Sequence, residues 1–373
     1  MPIAKVCFVG LENLPVLWPE FNRHGIGGEQ VQQTLLARAF VREGWQVSMI
    51  CLDYGQPDGA VYDGIKVYRT FRAGAGIPGV RFLHPRLTGI WSALGRADAD
   101  LYYTSCAGMP VGVIAYFVRR HRRRLVFRIA HDTDCDPRRV LIKYRRDRLI
   151  YAYGLRHADR VLAQSEQQVA ALAANYGVQS TIAGMLVEPP GRELDFYDRD
   201  IDVLWVNNLR PFKRPDLALE LARKLPDLTF HMVGGPQPPY ERLYLETTAA
   251  AKAIPNLTFH GRIPYHEINT FYERARVFVN TSDSEGFPNS YLQAWRRGAP
   301  LVTFFDPDGI VRRHALGHAA AGLTDMAAAV RVLARERESW QTTSEACRRF
   351  MADRYGDDNI VAEYRRVFVS VLQ

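Results

Sequence analysis

Short β-branched runs alternate with stretches of helical period along almost the whole chain, and the alternation runs twice. AKVCFVG (4–10), WQVSMICL (45–52), ADLYYTS (99–105), RLVFRIA (124–130) and RVLAQS (160–165) are near-continuous apolar runs, the pattern of strands buried on both faces of a parallel sheet. EQVQQTLLARAFVREG (29–44) carries apolar residues at helical spacing, and Gly44 stands where a left-handed residue closes a helix. EPPGRELDFYDRD (188–200) interrupts the pattern with prolines and acids and reads as a linker. IDVLWVNN, LTFHMVGG, LTFHG, ARVFVNTS and APLVTFF then resume it, with helices expected at 215–224 and 289–297. The tail DDNIVAEYRRVFVSVL (357–372) is a last amphipathic helix with no strand after it. A chain of 373 residues is too long for one ordinary core. The expected fold class is therefore α/β: two Rossmann-like αβα domains facing a cleft, 1–187 and 201–355, joined by the linker 188–200 and followed by the terminal helix 356–373.

Composition narrows the class. An apolar fraction of 47% with 24% charged residues is that of a soluble globular protein. Five scattered cysteines (Cys7, Cys51, Cys106, Cys135, Cys347) show no zinc spacing, and their odd number suits a reducing cytoplasm. The uncharged stretch LYYTSCAGMPVGVIAYFV (101–118) approaches the length of a membrane span, but Pro110, two glycines and TSC break it into strand, turn and helix. The net charge of +8 is concentrated in the first half, as RRHRRR (119–124) and RRVLIKYRRDR (138–148). Such runs can be a solvated helix face. They can also adhere to anionic lipid headgroups, because Leu141, Tyr144 and Tyr151 interleave with the charges. No zinc-finger, RNP or helix-turn-helix pattern supports nucleic acid as a partner.

In open parallel sheets ligands bind beyond the carboxyl ends of the strands, so the loops there carry the chemistry. The loop 11–28 is long and ends on Gly25, Gly27 and Gly28 at a helix start, where backbone N–H groups can approach a phosphate or polar oxygen. It is not the GxGxxG fingerprint. Its Leu14, Leu17, Trp18 and Phe21 suggest an acceptor groove. VNNLRPFKRPD (206–216) places Arg210, Lys213 and Arg214 before a helix whose first residue is Pro215, which suits a diphosphate. In SEGFPNSYLQAWRRGAPLVTF (284–304), Asn289 or Ser290 is expected to cap a helix with Gln293 in its first turn, and the amides of Asn289, Ser290 and Tyr291 face its N-terminus. Glu285 beside that anion site should hold sugar hydroxyls, and the neutral Gln293 a ribose. FRIAHDTDCDPRR (127–139) offers His131. Its alternating Asp132, Asp134 and Asp136 do not make a calcium loop, which needs Gly where Pro137 stands and Glu where Lys143 stands.

Taken in order, the Gly-Gly loop, KRPDLALELA and EGFPNSYLQAW resemble the family 4 nucleotide-sugar glycosyltransferases of GT-B fold over essentially the whole chain. The resemblance implies a retaining glycosyltransferase moving a sugar from a nucleoside diphosphate to a saccharide or lipid-linked saccharide, in cell-surface polysaccharide or glycolipid synthesis. It further implies that the terminal helix crosses back to the N-terminal domain. Glu285, Lys213 and His131 would serve catalysis. Gly27, Gly28, Asn208, Arg210, Gly234, Phe287, Pro288, Asn289, Ser290 and Gln293 would hold the donor. Two positions depart from the family pattern: Gln293 replaces a Glu, and Asn208 replaces an Arg. No cofactor or metal is expected, and the location is cytoplasmic, peripheral to the inner face of a membrane. A sugar-nucleotide epimerase or hydrolase, or a silent sugar-nucleotide-binding protein, are the alternatives.

Overall fold

The computed structural model describes residues 4–21 and 26–373, which divide into two compact units, residues 1–186 with 357–373, and residues 187–356. Along the first unit run β1 (Lys5–Val9), α1 (Leu14–Leu17), α2 (Gly28–Arg42), β2 (Gln46–Cys51), β3 (Ala60–Tyr62), β4 (Ile65–Arg69), α3 (Thr88–Ala97) and β5 (Leu101–Ser105). They continue with α4 (Met109–His121), β6 (Arg124–Arg128), α5 (Arg145–His157), β7 (Arg160–Ala163), α6 (Glu166–Tyr176) and β8 (Thr181–Ile182). The sheet order is β3-β4-β2-β1-β5-β6-β7-β8, parallel except at the β3–β4 edge. At that edge Asp63 (φ 50°) and Gly64 (φ 76°) form the tight Asp-Gly turn of a hairpin.

The second unit contains β9 (Ile201–Val206), α7 (Pro215–Lys224), β10 (Phe230–Val233), α8 (Glu241–Ala251), β11 (Leu257–Phe259), α9 (Tyr265–Arg274) and β12 (Ala275–Asn280). It closes with α10 (Asn289–Arg296), β13 (Leu301–Thr303), α11 (Ile310–Arg313), β14 (Gly317–Ala319), α12 (Leu323–Arg335) and α13 (Arg337–Arg354). Its sheet, β11-β10-β9-β12-β13-β14, is parallel throughout. The helix α14 (Asp357–Leu372) belongs to the first unit, where Phe368 stacks on Phe40 of α2 at 4.8 Å between ring centroids.

The stretch 188–200 is not a free linker. It is packed onto the second unit, where Arg199 is 1% exposed and donates to the carbonyls of Ala275 and Arg297, both at 2.6 Å. Burial, with Arg348 nearby, lowers that guanidinium to about 9. Phe196 packs on Trp340, and Gly191 N–H donates to Glu273 at 2.7 Å. Leu14 and Leu17 are likewise core residues, and Trp18 and Phe21 pack on Tyr62, so this loop spends its apolar side chains on its own unit rather than on a groove. Residues 101–118 form β5 and most of α4, and among the described residues no helix is long and apolar enough to cross a membrane.

Helices α4 and α5 meet at two glycines. A Cβ on Gly154 would lie 2.6 Å from the Gly112 nitrogen, so the helix backbones approach as closely as the fold allows. This contact sets the height of α5, whose Tyr151 hydroxyl donates to the Asp134 carbonyl at 3.0 Å and holds the turn after β6. Gly154→Ala is expected to destabilise the protein by about 1–3 kcal/mol through overpacking. Chemical denaturation of the variant against wild type measures it.

Candidate active site

The second unit gathers its polar groups at the carboxyl ends of β9 and β12. These strands pair directly, so the loops that follow them converge although Lys213 and Glu285 are 72 residues apart. Thr281, fully buried, ties the loops together: its hydroxyl donates to the carbonyls of Lys213 or Arg214, each at 2.9 Å, and accepts from Trp205 Nε1 at 2.9 Å. Asp283 N–H donates to the Phe212 carbonyl at 2.8 Å. Against this frame Lys213 Nζ donates to both carboxylate oxygens of Glu285 at 2.5 Å. Both side chains are largely buried, 15% and 7% exposed. Asn280 Nδ2 adds a weaker contact to Glu285 Oε1 at 3.4 Å.

The sequence suggests a diphosphate for Lys213 and a sugar for Glu285, and the structure brings these two side chains together as an ion pair. The neighbouring cation is engaged as well. Arg214, at φ 49° just before α7, forks onto Asp216 and reaches Asp283 at 3.3 Å, so its charge is spent within the loop. Pro215 is the first residue of α7, as expected, and Arg210 is exposed on the same loop.

On the segments that follow β9 and β12, three buried polar atoms have no protein partner among the described residues: Asn207 Nδ2, Ser282 Oγ and Asn289 Oδ1. Each unmet buried group of this kind costs on the order of 1–3 kcal/mol, which makes each a candidate contact for a polar ligand. Gly234 follows β10, the neighbour of β9. The Asn207 N–H donates to the Val233 carbonyl and the Leu209 N–H to the Gly235 carbonyl, running residues 207–209 alongside 233–235. A Cβ at 234 would overlap the Asn207 carbonyl oxygen, so glycine is required by close approach. Asn208, half-buried, belongs to the same segment.

The start of α10 differs from expectation. Pro288, not Asn289 or Ser290, occupies the cap, and its carbonyl accepts from the Tyr291 N–H at 3.0 Å. That leaves Asn289 and Ser290 as the amides at the helix start, and places Gln293 in the second turn, on the face of Asn289. Phe287 is buried against Trp295 and Tyr355, anchoring the loop that carries Glu285.

In the first unit Gly27 caps α2 and Gly28 is its first residue, while Gly25 lies outside the described residues. His131 caps the short turn 132–135. Its Nδ1 accepts from the Thr133 N–H at 3.2 Å, so in neutral imidazole the proton sits on Nε2. The acids of DTDCD are engaged in hydrogen bonds: Asp134 accepts from the amides of Ala130 and His131, Asp132 from Gln168, and Asp136 from the Arg138 N–H. Among the described residues no group of three or more His, Cys, Asp or Glu is arranged to hold a metal. Part of the basic run is structural too, since Arg123 pairs with Asp98 and Asp100 and Arg124 with Asp159.

Two α/β units in succession, each with a largely parallel sheet, are the architecture that this chain shares with GT-B glycosyltransferases. The comparisons agree: residues 27–183 match the family Glycosyl transferase 4-like domain, and 191–354 match Glycosyl transferases group 1. The chain thus belongs to the GT-B glycosyltransferases, and it resembles those of family 4. A D-inositol 3-phosphate glycosyltransferase of Geodermatophilus obscurus is 31% identical over 174 residues, 39% of this chain and 38% of the relative. One of the same name from Frankia alni is 37% identical over 121 residues, 28% and 29% of the two chains. The matched regions thus span less than two-fifths of these relatives. Sucrose-phosphate synthase from Thermosynechococcus elongatus shares the fold at a TM-score of 0.75 and 17% identity, covering 98% of this chain and 100% of that one. Anabaena HepE, in complex with UDP and glucose, does so at 0.71 and 14%, with coverage of 98% and 100%.

Burial raises the Asp134 carboxyl to about 7. Between the ordinary carboxylate range near pH 4 and pH 7 the folded state therefore holds a proton that the unfolded state has released. This contribution to stability is present at low pH and is lost as pH rises through 7. Asp134→Asn keeps an acceptor oxygen for the two amides without titrating. Its melting temperature should change less than that of wild type between about pH 5 and 8, and parallel curves would refute the assignment.

Proposed function

We propose that this protein is a retaining glycosyltransferase that moves a sugar from a nucleoside diphosphate to a saccharide or lipid-linked saccharide, in the synthesis of a surface polysaccharide or glycolipid. The observation that carries the reading is the Lys213–Glu285 pair, on chain segments that also hold unpartnered buried polar atoms. A diphosphate draws the Lys213 ammonium to itself, with Arg210 and the amides at the start of α10 as further donors. Glu285, released from the lysine, accepts from sugar hydroxyls; Asn207, Ser282 and Asn289 find partners on the same ligand. Ribose hydroxyls fall to Gln293. This reading agrees with the UDP and glucose bound to HepE and with the names of the curated relatives.

In the reaction the bond from the anomeric carbon to the diphosphate breaks, and the electron pair leaves with the phosphate oxygen. The acceptor oxygen bonds to that carbon on the same face, and its proton passes to the departing phosphate. The protein meets the charge developing on the leaving group with fixed cations and amides, without a metal ion. His131, with its proton on Nε2, holds a sugar or acceptor oxygen by donating to it rather than acting as the base.

A thermal-shift screen of UDP, GDP and ADP, with and without EDTA, should show stabilisation by one nucleotide that EDTA leaves unchanged. Glu285→Gln should then lower kcat/KM for transfer by about 100-fold or more while the nucleotide still binds; near-wild-type turnover would remove Glu285 from the mechanism. Consumption of the donor without a transferred product would favour the epimerase or hydrolase reading, and binding without turnover the silent one.

The acceptor reading places the protein at the cytoplasmic face of a membrane. Exposed Arg119, Arg120, Arg122, Arg138, Arg139 and Lys143 supply charge, and Leu141 and Leu149, 74% and 73% exposed, supply apolar anchors. The Arg146 guanidinium stacks on Phe82 at 3.5 Å and so joins these to a second apolar segment with Ile77, Val80 and Leu83. Vesicles rich in phosphatidylglycerol should retain the protein at low salt, and Leu141→Glu with Leu149→Glu should release it. Equal sedimentation with neutral vesicles would count against this placement.

A further inference from the structure

We infer that Glu188, acting through Asn269, sets the orientation of the Gln293 amide, so that Gln293 presents only its oxygen to the ligand and works as a carboxylate would. The inference rests on the reading of Gln293 as a donor-site residue.

The chain of contacts is short. Asn269 Nδ2 on α9 donates to Glu188 Oε2 at 2.6 Å, and Gln293 Nε2 on α10 donates to Asn269 Oδ1 at 3.5 Å. An ionised carboxylate can only accept, so Asn269 must turn its NH2 toward Glu188 and its oxygen toward Gln293. Gln293 must then offer its own NH2 to that oxygen. Its Oε1 is then the atom left without a protein partner among the described residues. Hydrogen-bond polarity thus settles two amide orientations that side-chain shape alone would leave open.

Both ends of the relay are pinned by one residue. Arg297, its side chain only 1% exposed, donates to the carbonyls of Glu188 and Pro189 at 3.3 Å and to the Gln293 carbonyl at 3.2 Å. Residue 188, in the stretch read from sequence as a linker, is thereby locked to the helix that carries Gln293. A free glutamine could meet a ribose with either end of its amide. The relay removes the donating end.

The polarity argument makes a reciprocal forecast. A carboxylate at 293 would face the Asn269 oxygen, acceptor against acceptor. Turning Asn269 to relieve that clash would set its oxygen against Glu188. A glutamine at 188 removes the conflict, because it can donate to the turned Asn269.

The experiment compares wild type, Glu188→Gln, Gln293→Glu and the double variant by melting temperature and by calorimetric titration with UDP, GDP and ADP. Gln293→Glu should melt lower and bind its nucleotide about tenfold more weakly, and Glu188→Gln alone about fivefold more weakly. The double variant should return to within about twofold of wild type in affinity and regain the lost melting temperature. The 2′,3′-dideoxy form of the nucleotide, with no ribose hydroxyl to offer, should bind all four proteins alike. Additive losses in melting temperature would overturn the relay. Recovery of melting temperature with no change in nucleotide affinity among the four would overturn its role at the ligand. If no nucleotide binds wild type while the melting temperatures still couple, the function reading fails and the relay's assignment to a donor site falls with it.

Discussion

Strands β9 and β12 lie side by side in parallel register, and the chemistry of the second unit follows from that pairing. Parallel neighbours send their loops out at the same edge, so two loops far apart in sequence must share one small volume. The shared volume is filled by a lysine on one loop and a glutamate on the other, with Thr281 bonding the two backbones beneath them. The strand pairing is apolar, made by Val203, Leu204, Val277 and Phe278 in register. The polar site is thus carried on a hydrophobic foundation whose geometry it does not have to maintain.

Two buried charges held against each other are seldom a net gain in stability, because the desolvation of both offsets much of their attraction. What the Lys213–Glu285 pair does provide is mutual neutralisation where both side chains are largely shielded from water. On the proposed reading a diphosphate competes for the lysine with more charge than a carboxylate has, and Glu285 is left to accept from the sugar. On the same reading the relay from Glu188 through Asn269 to Gln293 sets which Gln293 atom meets the ligand.

The first unit uses its charge in a different way. Of the arginines in the run 119–124, Arg123 and Arg124 are committed to aspartates at the start of β5 and β7, whereas Arg119, Arg120 and Arg122 stay in water. A charge count could not separate the two groups. The glycine contact between α4 and α5 was equally silent in the sequence, because nothing local marks Gly112 and Gly154 as partners. The Asp-Gly turn at 63–64 did carry a readable hairpin signal, hidden among longer apolar runs.

The order of strands and helices, the two α/β units, and the types of residue at the strand ends were all written in local pattern: β-branched runs of five or six, Pro215 at a helix start, Glu285 before a capped turn. Such features depend on neighbours in sequence, which is why a linear reading reaches them. The pairing of Lys213 with Glu285, the packed course of 188–200 and the polarity imposed on Gln293 through Glu188 depend on contacts across 70 to 100 residues. Those were decided by how parallel strands order themselves in the sheet and by which buried hydrogen-bond donors and acceptors were then left to find each other.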